Sequence, residues 1–110
     1  MLNGSKTLNP AVLEEIVRRI VEVVQPERVI LFGSAARGEM GFNSDVDLLV
    51  VKGGEYSKRD VDLQIRRALS GTGQAFDIVL ATPEEVERYR DSWMLVIYPA
   101  LREGKVVYAA

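Results

Sequence analysis

Apolar and polar positions alternate along this chain in two distinct rhythms, and the switches between them predict its elements. Asn9-Pro10 is a helix start, with Asn9 as N-cap and Pro10 at the first helical position. Leu13, Ile16, Val17, Ile20 and Val24 then recur at helical spacing among Glu14, Glu15, Arg18, Arg19 and Glu22. Val12, Val21 and Val23 widen the stripe, which predicts a well-buried helix ending near Gln25-Pro26. The apolar runs Arg28 to Phe32, Asp45 to Val51 and Ala75 to Ala81 read as three strands. A helix is predicted from Ser57 to Ser70, with Val61, Ile65, Ala68 and Leu69 on one face. Thr82-Pro83-Glu84-Glu85 starts another helix, with Thr82 as cap and Glu85 at the capping-box position. The apolar stretch from Trp93 to Leu101 predicts a helix kinked or split at Pro99 and ending at Gly104. Val106 to Tyr108 reads as a last edge strand, and residues 1–8 as a short mobile arm.

This alternating order predicts an α/β (α+β) fold: a small mixed β-sheet flanked by helices. Eleven residues separate the first two strands, which is tight for a parallel crossover and points to antiparallel neighbours. The connection over residues 53–74 contains a helix and supports a parallel return. With 110 residues and no internal repeat, the expectation is one domain over residues 1–110.

Composition narrows the chemistry. The chain has no Cys and no His, so thiolate chemistry, imidazole bases and zinc ligands are excluded. Acid–base and metal work falls to Asp, Glu, Lys, Tyr or Ser, and hard cations such as Mg²⁺ or Mn²⁺ are the fitting metals. The net charge of −2 argues against a nucleic-acid footprint and an anionic membrane surface. With no apolar run of membrane-spanning length and no signal-peptide pattern, a cytoplasmic protein is expected.

Three features carry chemistry. Asp45-Val46-Asp47 opens an apolar strand, and alternation points both carboxylates to one face. Their repulsion and desolvation would be relieved by a divalent cation; a solvated strand end is the plainer alternative. Asp77 sits within the apolar third strand, where a buried carboxylate needs a partner. The alternatives for Asp77 are a salt bridge to Arg28 or Arg37, or exposure at a sheet edge. Gly33-Ser34 follows the first strand, where a glycine admits a bulky anion and the Ser34 hydroxyl can hold phosphate oxygens. An ordinary strand-to-helix turn capped by Ser34 is the alternative. Arg37 is placed to contact a phosphate or the acidic cluster, and Ser44 to cap the turn before Asp45.

Taken together, Gly33-Ser34, ten residues, then Asp45-x-Asp47 resembles the signature of the DNA polymerase β-like nucleotidyltransferase superfamily. The stretch LFGSAARGEMGFNSDVDLLVV is similar to its minimal nucleotidyltransferase (MNT) branch. That resemblance implies a polymerase β-like fold. It implies that Asp45 and Asp47 bind two Mg²⁺ ions and that Asp77 binds the one on the nucleophile side. Gly33 and Ser34 would hold the β- and γ-phosphates of ATP, with Arg37 and Ser44 in the nucleotide-binding loop. Members of this size are commonly paired with a helical HEPN-type toxin. The implied role is an antitoxin that transfers AMP to a hydroxyl of its partner protein within a hetero-oligomer. The alternatives are a silent nucleotide-binding module that neutralises its partner by contact, or transfer to a small molecule or RNA end. Trp93 to Tyr98 are either an apolar docking surface or ordinary core.

Overall fold

The computed structural model describes residues 9–37, 45–92 and 97–110. The expected arm over residues 1–8, Ser44, and the apolar positions Trp93, Met94, Leu95 and Val96 lie outside the described residues.

Helix α1 spans Pro10–Val24. The Asn9 side chain accepts from the Ala11 N–H at 2.8 Å, which satisfies one of the free donors of the first turn. The helix stops at Gln25, whose left-handed φ of 50° turns the chain out, and its N–H donates to the Val21 carbonyl. Lys52 then donates through Nζ to the Val24 carbonyl at 2.8 Å, a positive charge at a helix C-terminus. Strand β1 (Arg28–Phe32) runs directly into the short helix α2 (Gly33–Arg37). Strand β2 (Val46–Val51) follows, then α3 (Lys58–Ala68), capped by the Ser57 hydroxyl. Arg19 of α1 donates to the Ala68 and Ser70 carbonyls at 3.0 and 3.1 Å, tying the end of α3 to α1.

Strand β3 (Phe76–Ala81) leads into α4 (Pro83–Tyr89). The capping box is present: Thr82 accepts from the Glu85 N–H and Glu85 accepts from the Thr82 N–H. Helix α5 (Ile97–Glu103) turns at Gly104 into β4 (Lys105–Ala109). Pro99 does not split this helix. The described helix runs through it unbroken from Ile97 to Glu103.

The sheet order is β3-β2-β1-β4. Strand β1 pairs antiparallel with both β2 and β4, and β2 pairs parallel with β3. The mixed sheet, the antiparallel first pair and the parallel return across α3 are as the sequence predicts. Central strand β2 is buried on both faces, which explains its unbroken apolar run from Leu48 to Val51. One face packs Val29, Leu31, Leu48 and Val50 against Ile16 and Ile20 of α1 and Val61 and Ile65 of α3. The other packs Ile30, Leu49, Val51 and Ala81 against Val86 of α4 and Ile97 and Ala100 of α5. Helix α1 is less covered than its wide stripe implies, because Val23 is 40% exposed.

Candidate active site

Strand alternation decides which acids share a face. Asp47 has the parity of Leu49 and Val51, and Asp77 that of Val79 and Ala81, so both point to the α4–α5 side of the sheet. The parallel register places Asp47 directly opposite Asp77, and the antiparallel register places Phe32 opposite Asp47. The last residue of β1, the start of β2 and the start of β3 therefore meet at one end of the sheet. Asp45, two residues before Asp47, immediately precedes β2 and is exposed.

Gly33 is the hinge of this end. Its φ is +72°, in the left-handed region that glycine occupies without strain. A Cβ there would collide with the Asp47 carboxylate, its Cγ being 3.1 Å away. The β1–α2 turn thus passes against Asp47 with no room for a side chain. Ala35 and Ala36 are buried and anchor α2, which leaves Ser34 half-buried and Arg37 exposed.

Electrostatics knit the group together. Asp47 holds its proton more tightly than an ordinary aspartate, chiefly because it is partly buried, then because the Asp77 and Asp45 charges repel its ionised form. The Arg37 guanidinium pulls the other way and does not win. The charges of three residues act on this one carboxylate, so Asp45, Asp77 and Arg37 share its neighbourhood.

Two expectations are corrected. Asp77 is not buried but exposed at a sheet edge, the plainer of its readings, because β3 is an outer strand. Arg28 cannot be its partner, since Arg28 pairs with Val51 at the opposite end of the sheet. The acids also do not form a finished cage: among the described residues, no three acidic side chains stand where they could hold one ion together. They remain a fitting donor set for a hard cation. Neighbouring strands lie about 4.8 Å apart, so rotation about χ1 and χ2 can bring the Asp47 and Asp77 oxygens to a common ion. The sequence reading did not find the apolar strip beyond Asp77, where Val79 on the same face meets Tyr89 and Ile97. Nothing in the residue pattern distinguishes these positions from ordinary core.

A four-stranded mixed sheet with paired carboxylates at the mouth of a glycine turn, covered by helices on both faces, is the architecture of a nucleotidyltransferase. The chain belongs to the nucleotidyltransferase domain family, whose sequence profile matches residues 12–99. Solved structures share the fold. A toxin–antitoxin crystal structure with AMP-PNP aligns with a TM-score of 0.63 at 18% identity, covering 94% of this chain and 75% of that one. A mutant of the toxin–antitoxin MntA-HpeT aligns at 0.62 with 16% identity, covering 94% and 75%. A candidate nucleotidyltransferase from Sulfolobus solfataricus aligns at 0.53 with 23% identity, covering 93% and 90%. No curated protein matches the sequence. Family and fold both agree with the polymerase β-like resemblance in the sequence.

Proposed function

We propose that the chain transfers a nucleoside monophosphate, AMP from ATP, to a hydroxyl of a partner protein, as the antitoxin of an MNT–HEPN pair. The observation that carries this reading is the register of Asp47 against Asp77 beside the Gly33 turn. The acceptor oxygen forms a bond to the α-phosphorus, the bond to the β-phosphate oxygen breaks, and pyrophosphate leaves. Mg²⁺, two ions by family resemblance, would when bound lower the acceptor pKa and balance the charge of the leaving pyrophosphate. Asp45 and Asp47 hold the metal. Asp77, on the edge strand, would hold the ion on the acceptor side and help take up the acceptor's proton. The free N–H groups at the start of α2 and the Ser34 hydroxyl hold the β- and γ-phosphates, with Arg37 balancing charge. Ser44, by the resemblance, would belong to the nucleotide-binding residues. Catalysis is then positioning and electrostatics. ATP and a protein acceptor are supported by fold neighbours that are toxin–antitoxin complexes, one of them with AMP-PNP.

Labelled ATP, Mg²⁺ and the co-expressed partner test this reading. The parent chain labels the partner, and Asp47→Asn lowers the rate about a hundredfold or more. A second reading is favoured by the absence of a ready three-acid cage among the described residues: neutralisation of the partner by contact alone. Protection that survives Asp47→Asn intact, with no labelling by the parent, decides for contact.

A further inference from the structure

Strand β3 is the outer strand of the sheet on the side of the acids. The Ala75 and Ala81 carbonyls accept from the Val46 and Lys52 N–H groups, each at 2.9 Å. Backbone direction alternates along a strand, so residues 75, 77, 79 and 81 turn their N–H and C=O groups toward β2. Phe76, Ile78 and Leu80 turn theirs outward. Among the described residues, no backbone group pairs with them.

A groove of about 190 Å³ lies against this edge. Val79, Leu80 and Ala81 all line it. Three consecutive strand residues belong to both faces, so they can line one groove only if it follows the strand edge. Tyr89 and Ile97 form its apolar wall. At one end Lys58 of α3 bonds both Glu85 oxygens of α4 at 2.8 Å. Those helices cover opposite faces of the sheet, and both partners of the ion pair line the groove, so the pair bounds it at the Ala81 end. In the other direction the strand leads to exposed Asp77, on the same face as Val79.

We propose that the acceptor binds as an added strand along β3. Its hydroxyl-bearing residue lies opposite Asp77, and an apolar side chain two residues away fills the groove beside Val79, Tyr89 and Ile97. The two-residue spacing follows from strand alternation and holds for either strand direction. The open edge, the stop at Lys58–Glu85 and the continuity with Asp77 commit the occupant: an extended peptide segment, not a helix and not a small molecule. This rests on the preceding assignment of Asp77 to the acceptor side.

Fluorescein-labelled nine-residue peptides test it, each carrying one serine, threonine or tyrosine and one leucine. Peptides with the two residues two positions apart bind about tenfold more tightly than those with them adjacent. N-methylation of the amides that face β3 removes this binding. In hydrogen exchange, peptide slows the Ile78 and Leu80 amides and leaves the Val79 amide, already bonded to β2, unchanged. Tyr89→Ala weakens peptide binding about tenfold while leaving the thermal shift by Mg²⁺–ATP in place, which shows that the fold is intact. Binding indifferent to spacing and methylation overturns the proposal. So does absence of binding by every peptide, or a dimer closed through this edge in sedimentation. Peptide binding at β3 without any nucleotidyl transfer sinks the proposed function instead. Transfer to the partner at full rate in Tyr89→Ala sinks the edge site and spares the function.

Discussion

Two residues at the mouth of the sheet carry opposing demands. Gly33 combines a φ of +72° with a backbone that touches Asp47, so Gly33→Ala incurs both left-handed strain and a clash. The strain alone costs about 1–2 kcal/mol. The expected result is a lower melting temperature together with weaker Mg²⁺–nucleotide binding, read by calorimetry, because relief of the clash moves the Asp47 carboxylate. Asp47 carries the reverse sign. Burial, then Asp77 and Asp45, raise its folded-state pKa above the unfolded value. As pH rises between those two values the unfolded chain sheds its proton first, so stability falls through that window and stays lower above it. Asp47→Asn removes the penalty. Without metal, the variant should melt a few degrees above the parent at neutral pH and level with it below the ordinary carboxylate range. Thermal melts in chelator across pH check this, and a variant that melts lower at neutral pH refutes the electrostatic account. A side chain that destabilises the metal-free fold yet is needed for transfer marks a site shaped for a cation.

Elements were legible where one local force dominates. The apolar runs of β1 and β2 have no helical period, and the Thr82–Glu85 box announces α4 by hydrogen-bonding chemistry alone. Thr82→Ala should therefore cost about 1 kcal/mol, seen as a lower denaturation midpoint with an unchanged slope. What was not legible depends on partners distant in sequence. Asp77 reads either as buried among Phe76, Ile78 and Val79 or as exposed at a sheet edge, and the sheet order, which makes β3 an outer strand, decides for exposure. Pro99 reads as an interruption, yet the described helix passes through it without a break to Glu103. The spacing of Gly33-Ser34 to Asp45 and Asp47 pointed to the site, yet the pairing with Asp77 required the sheet order. Gly104 is a further case: a Cβ there would press on the Ala100 and Leu31 carbonyls and on Ile30, which no local pattern suggests. Gly104→Ala should cost about 1–3 kcal/mol by forcing the α5–β4 corner off β1, measured by denaturant unfolding.

At the scale of the whole molecule, the chemistry sits at one end of a sheet whose core reaches up to it. Phe32 on one face and Val46 on the other carry the apolar clusters up to the level of Asp47, while Asp45 and Asp77 are exposed, so the acids can be re-paired by side-chain rotation without repacking the interior. Ligand binding should therefore act on stability through mass action alone. A ligand at a hundred times its dissociation constant stabilises by about 2.7 kcal/mol. For a domain of this size each kcal/mol moves the melting temperature by about 4–8 °C. Mg²⁺ with a non-hydrolysable ATP analogue at that excess should then raise it by about 10–20 °C. Neither component alone should do so fully, because the anion and the three carboxylates repel until a cation lies between them. In a chain with both Asp45→Asn and Asp47→Asn the metal-dependent part of the shift should vanish, while the unliganded chain still unfolds cooperatively and no lower than the parent. A metal-dependent shift that persists in that double variant would place the metal and the nucleotide away from this end of the sheet.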